Sequence, residues 1–273
     1  MLRLTKHHGL GNDFLVALAE HNPGLAPDPV VARALCDRHL GVGADGLLHA
    51  MAPDRPGADA RMVLLNADGS EAEISGNGIR CLAQALLLAA GRSEGELLID
   101  TPGGRRRVRT LGGDVDGEAR LEVEMGEVRA GPPITVAAAD EPATNRATVD
   151  VGNPHLVLQV DHVDAVDLGT LGPRLEAGFA EGINVHVVEP SGPAGLRLRV
   201  WERGVGITRA CGSGAVAAAA AAHGWGLVGG EVTVSMPGGD ATVTLTPGGA
   251  LLAGPSTYVA DVTVPLGPGG MQP

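Results

Sequence analysis

The 273-residue chain is 44% hydrophobic, enough to bury a sizeable core as one large domain or two modest ones. A formal net charge of −12 at pH 7 argues against a nucleic-acid surface, because phosphate contacts need clustered Lys and Arg. No run of about 18 strongly apolar residues occurs and the opening MLRLTKHHGLGNDF lacks a signal-peptide core, so no membrane association is expected and the cytoplasm is the expected location.

In chain order, a first strand ends near Lys6 and a helix is expected over 28–39. The next segment, Gly41-Val42-Gly43-Ala44-Asp45-Gly46, matches GxGxxG but follows a helix pattern rather than a strand, so it reads as a loop and not a dinucleotide site. Strands are expected at 61–66, 96–100, 105–110, 120–125, 148–151, 155–160, 184–189, 196–201, 231–235, 241–246 and 257–264. Two further helices, over 76–90 and 212–223, are rich in Ala and Leu. Short strands with few helices make this an α+β pattern. The basic run Arg105-Arg106-Arg107 with Arg109 reads as a solvated strand.

Cys36, Cys81 and Cys211 are too few and too scattered for a disulfide framework, and no CxxC pair suggests zinc, so no metal is expected. Cys36 and Cys81 fall inside helix patterns and read as small buried hydrophobes. Lysine occurs once, at Lys6, with no phosphate-binding segment nearby, which argues against a pyridoxal-phosphate Schiff base.

An internal echo organises the chain. Ser75-Gly76-Asn77-Gly78 opens the second helix and Cys211-Gly212-Ser213-Gly214 the third, while GNxxLV recurs at Gly11–Val16 and Gly152–Val157. Two echoes in one order suggest duplicated halves: 1–129, joined by the C-terminal strand at about 258–273, and 130–257, with an active site in the cleft between them. Each echoed segment places a hydroxyl or thiol at a helix N-cap, followed by glycines that expose N–H groups. Such a terminus attracts anions and favours a thiolate, making Cys211 the candidate base. Ser75 and Cys211 flanking one molecule would suit inversion of a stereocentre, where one group removes an α-proton and another protonates the opposite face.

The segments HGLGNDF at His8–Phe14, NADGSEAE and GNGIRC within Asn66–Cys81, GNPH at Gly152–His155 and ERGVG-x-TRACGSGA at Glu202–Ala215 are similar to the successive signatures of the diaminopimelate epimerase family. The resemblance implies two pseudo-symmetric domains, each a curled, mainly antiparallel sheet around a central helix. It implies cofactor-independent interconversion of LL- and meso-diaminopimelate, an isomerase step serving lysine and peptidoglycan synthesis. A small amino acid is then the partner, and the family also admits a homodimer. Carried across by position, Cys211 resembles one catalytic thiol. Gly212, Ser213, Gly76 and Asn77 offer groups to the α-carboxylate, and Asn12, Asn66, Asn153 and Asn184 hold the distal groups. Arg203 forks onto the distal carboxylate, Glu202 accepts from an ammonium or orients a catalytic group, and His155 assists proton transfer.

The chain departs from the family at Ser75, where the first cysteine belongs, and at Ile207, where a Glu is usual. A serine hydroxyl is a far weaker acid than a thiol. Three explanations stay open at this point: an engineered replacement, a natural change that still permits epimerisation, or a changed activity. The alternatives to the epimerase reading are a related racemase or dehydratase of altered specificity and a non-catalytic amino-acid-binding homologue.

Overall fold

The computed structural model describes residues 1–72, 75–139 and 141–265. The chain divides into two compact units, one made of Met1–Val123 and the chain from Pro255 onward, the other of Glu124–Gly254. Of the C-terminal strand expected to run to residue 273, the part beyond 265 lies outside the described residues.

The first unit begins with a hairpin of β1 (Leu2–Gly9) and β2 (Asn12–Leu18). Its turn places Leu10 and Gly11 at φ 56° and 79°, a left-handed pair that matches strand twist but that a leucine adopts only under constraint. Helix α1 (Pro29–Cys36) then crosses to β3 (Gly46–Met51), which runs parallel to β2. Strand β4 (Ala60–Asn66) returns antiparallel, carrying the short β5 (Glu71–Ala72). Helix α2 (Gly76–Ala89) follows, then β6 (Glu96–Thr101) parallel to β4, and the antiparallel β7 (Gly104–Gly113) and β8 (Glu118–Gly126). In β8 the period of two is plain. Ala119, Leu121, Val123 and Met125 are buried, while the acidic and basic residues between them face outward.

The second unit opens with β9 (Arg129–Ala130) and the one-turn α3 (Val136–Ala139), after which it repeats the first unit element by element. Strands β10 (Asn145–Asp150) and β11 (Pro154–Gln159) form the hairpin, α4 (Leu168–Glu176) makes the crossover, and β12 (Asn184–Pro190) runs parallel to β11. Next come β13 (Gly195–Glu202), the short β14 (Gly206–Thr208), α5 (Gly212–Gly224), β15 (Glu231–Met236) parallel to β13, β16 (Gly239–Thr246) and β17 (Gly249–Val264). The last part of β17 belongs to the first unit, where it pairs antiparallel with β1 from His8↔Thr257 to Leu2↔Val264.

In each unit the sheet curls around one helix. Helix α2 touches β1, β2, β3, β4 and β7, and α5 touches β10 through β13 with β15 and β16. Ala215 to Ala219, Ala221 and Ala222 are all buried, as an alanine-rich helix with no polar face requires. The outer faces are covered by the crossover helices. Ala32, Leu35 and Cys36 of α1 pack on Leu15, Leu47 and Leu65, and Leu168, Leu171 and Leu175 of α4 pack on Leu156, Leu158, Val185 and Val187.

The expected helix over 28–39 ends earlier, at Cys36. Asp28 caps its start and Pro29 occupies the first turn, but Asp37 turns its carboxylate onto the N–H groups of His39 and Leu40, both at 2.7 Å, which ends the helix. The segment from Gly41 is a loop, as read. Helix α4 is not among the expected elements, and it contains Gly169, Gly172 and Pro173, residues that local rules disfavour in a helix. A Cβ at Gly172 would lie 2.3 Å from Trp201 Cγ, so the glycine is there for close packing rather than for a turn. The basic run lies in β7, with Arg105 paired to Asp100 (2.8 Å), Arg107 to Glu96 (2.6 Å) and Arg109 to Glu122 (2.7 Å). Among the described residues no helix is long and apolar enough to cross a membrane, and no cluster of His, Cys, Asp and Glu is arranged to hold a metal ion.

Candidate active site

Ser75 and Cys211 cap their helices in one geometry. Both have extended backbone, φ −143° and ψ 111° for Ser75, φ −132° and ψ 117° for Cys211, and each side chain accepts the N–H of the residue three positions on. Gly78 N–H donates to Ser75 Oγ at 2.9 Å and Gly214 N–H to Cys211 Sγ at 3.4 Å. Between each cap and its bonded N–H lie Gly76 and Asn77 in one helix and Gly212 and Ser213 in the other, all buried, and N–H groups at such a helix start attract an anion.

In the first unit, Asn77 Nδ2 donates to Asn12 Oδ1 at 3.3 Å, and Asn12 Nδ2 donates to Asp45 Oδ2 at 2.8 Å. Asp45 also receives Arg38 Nη2 at 2.7 Å, and its backbone carbonyl receives Ala67 N–H, so it ties the Asn12 turn to the loop after Asn66. Asn66 Nδ2 itself donates to Ser70 Oγ at 3.0 Å. Asp13 completes an ionic cluster with Arg38 and with Lys6, whose ammonium also donates to Gly43 O. Beneath the cap, Arg80 is fully enclosed. It donates to Asn77 Oδ1 at 2.7 Å and to Gly76 O at 3.0 Å, and burial lowers it to about 10.

In the second unit the ends of β11, β12 and β13 converge on the start of α5. Asn184 Nδ2 donates to Pro154 O at 2.9 Å and its Oδ1 accepts Arg203 N–H at 3.0 Å. The Arg203 guanidinium donates to Glu181 O at 3.0 Å, and Thr208 Oγ1 donates to Glu202 Oε1 at 2.6 Å. His155 is buried, with Nε2 2.8 Å from Asn153 Oδ1 and Nδ1 2.8 Å from His186 Nε2. Burial holds His155 well below the usual imidazole range and His186 at about 3, so both are neutral.

Cys211 corrects one expectation. The positive end of α5 does not make it a ready thiolate, because burial, reinforced by the Glu202 charge, pushes the thiol well above its ordinary range. Sγ is therefore a proton donor first, 3.6 Å from Ser213 Oγ and beside the Glu202 carboxylate. Cys36 and Cys81 are buried as expected, and burial raises them to about 12 and 11.

The diaminopimelate epimerase family model matches residues 4–130 and 147–259. This chain belongs to the diaminopimelate epimerase family. It is 39% identical to a diaminopimelate epimerase of Thermosynechococcus vestitus, covering 97% of this chain and 99% of that one, and 42% identical to one of Xanthomonas euvesicatoria pv. vesicatoria, covering 95% of each. The structure is similar to that of a predicted epimerase from Pseudomonas aeruginosa, with a TM-score of 0.73, 17% identity and coverage of 97% of this chain and 99% of that one. At that identity the likeness shows the fold, two units of curled sheet around a central helix.

Within this epimerase-family frame, Arg80, Asp45 and His186 join the network though none was among the candidate site residues. Arg80 had a signal, as the one charged residue of α2. His186 had a weaker one, an imidazole inside a valine run.

Proposed function

We propose that this chain interconverts LL- and meso-diaminopimelate by exchanging the α-proton, a step in the supply of lysine and peptidoglycan precursors. The observation that carries the reading is the matched pair of helix caps, Ser75 and Cys211, each bordered by glycine N–H groups. The N–H groups of Gly76, Asn77, Gly212 and Ser213 bind the α-carboxylate and stabilise the enolate-like charge as the α-proton leaves, which is the part an electron-sink cofactor otherwise plays. Cys211 and Ser75 exchange protons on opposite faces of the carbon. Glu202, held by Thr208 beside the thiol, takes the Cys211 proton when the sulfur must act as base. Asn12, Asn66, Asn153, Asn184 and Arg203 hold the distal ammonium and carboxylate.

The test is incubation with LL-diaminopimelate in D₂O. Deuterium at the α-carbon together with meso product is the expected result. Exchange with another amino acid but not with this one would favour the related racemase that Ser75 and Ile207 suggest, and binding with no exchange would favour the non-catalytic homologue.

A further inference from the structure

The second unit carries a buried imidazole, His186, that the reaction above does not use. His155 and His186 are both fully buried, 2.8 Å apart, and His155 reaches Asn153 at 2.8 Å on its other side. The His186 ring lies against the start of α5, where a Cβ at Gly214 would fall 2.4 Å from its Cε1. Among the described residues His186 Nδ1 has no hydrogen-bond partner.

These contacts leave few arrangements of protons. Both rings are neutral, so each has one N–H and one bare nitrogen. Asn153 Oδ1 accepts, so His155 carries its proton on Nε2 and presents a bare Nδ1. His186 must then donate from Nε2, which leaves its own Nδ1 as a bare lone pair. The reversed chain would bury a His186 N–H with no acceptor, and an orphaned buried donor is the rarer and costlier defect.

We infer that His186 is a positioning residue: with His155 it forms a one-way chain of hydrogen bonds that turns the Asn153 carboxamide so that its N–H groups, not its oxygen, meet the substrate. Asn153 then selects an anionic or carbonyl acceptor at the far end of the substrate, the carboxylate rather than the ammonium. His155 supports the reaction by holding Asn153, since both of its nitrogens are engaged. The selectivity rests on reading Asn153 as a substrate contact; the direction of the chain does not.

Two measurements decide it. Long-range ¹H–¹⁵N spectra of ¹⁵N-histidine-labelled protein, assigned with single-histidine variants, are expected to show both rings as neutral Nε2–H tautomers. An Nδ1–H on either ring overturns the inference. In kinetics, His186→Leu removes the donor and is expected to raise KM for diaminopimelate about tenfold with kcat within about twofold, as befits one lost orienting hydrogen bond. His186→Gln keeps an N–H at a similar reach and is expected to return KM to near the parent value. A Leu variant with the parent KM, or a Gln variant as impaired as a folded Leu variant, overturns the role of His186. If the parent protein exchanges no proton of diaminopimelate, the function proposed above falls while the tautomers still decide the chain.

Discussion

Ser75 and Cys211 occupy the same cap position in the two central helices and each accepts the N–H three residues on, although an ordinary serine hydroxyl is a far weaker acid than an ordinary thiol. If Ser75 is the second proton-exchanging group, Ser75→Cys is expected to raise the rate of α-deuterium exchange by about tenfold or more, while Cys211→Ala lowers it by about 10² to 10⁴. Both are read by mass spectrometry in D₂O, and an unchanged rate in Ser75→Cys would remove Ser75 from the reaction. Motif spacing was enough to point at these two residues, because a cap is local: it needs only a side-chain oxygen or sulfur, an extended residue and an N–H three positions on. The acidity of Cys211 was not legible in the same way. The helix start argued for a thiolate, but burial and the neighbouring Glu202 outweigh it, and neither is adjacent to the cap in sequence.

Helix α5 shows how one substitution changes sign along a single element. Gly214 faces the His186 ring, so Gly214→Ala forces a methyl to within 2.4 Å of Cε1 and must push the helix start or the imidazole aside. Overpacking of this kind costs about 1–3 kcal/mol, and here it also displaces the cap. Gly224, at the other end of the same helix, has nothing within 4 Å of a Cβ, so Gly224→Ala is expected to stabilise by about 0.5–1 kcal/mol. Urea denaturation of both variants checks the pair, and equal shifts would contradict the packing argument. Most of the longer strands were legible as short apolar runs, although β2 and β3 were not among those expected, and α2 and α5 were legible from composition and length. Helix α4 was not, because its Gly172 is required by Trp201 from a strand about thirty residues later, a contact that no local rule contains.

Four buried histidines, His7, His49, His155 and His186, are spread over both units, and desolvation is the first cause of lowered basicity in each. His7 and His49 fall to about 4 and His186 to about 3, against an ordinary value of 6.5. The unfolded chain therefore binds protons that the folded chain refuses. Stability is intact above about pH 6.5 and declines as the pH drops towards 4, with His7, His49 and His186 each costing on the order of 3 kcal/mol by then and His155 adding in the same direction. That is a large share of a typical folding free energy of about 5–15 kcal/mol. Thermal melts from pH 7.5 to 4 are expected to show a steep fall across this window, with a shallower fall in His49→Leu, and a flat profile would contradict the burial of these rings as neutral groups. The sequence alone determined what local chemistry and repetition can encode: alternating strands, two capped helices, the echo between two stretches of chain and the family to which it belongs. The tertiary structure alone decided which polar groups lose their water. Burial of Cys211, Arg80 and the His155–His186 pair arises where sheets curl around a helix, bringing together side chains far apart in sequence, and desolvation then sets their charge and their hydrogen-bond direction.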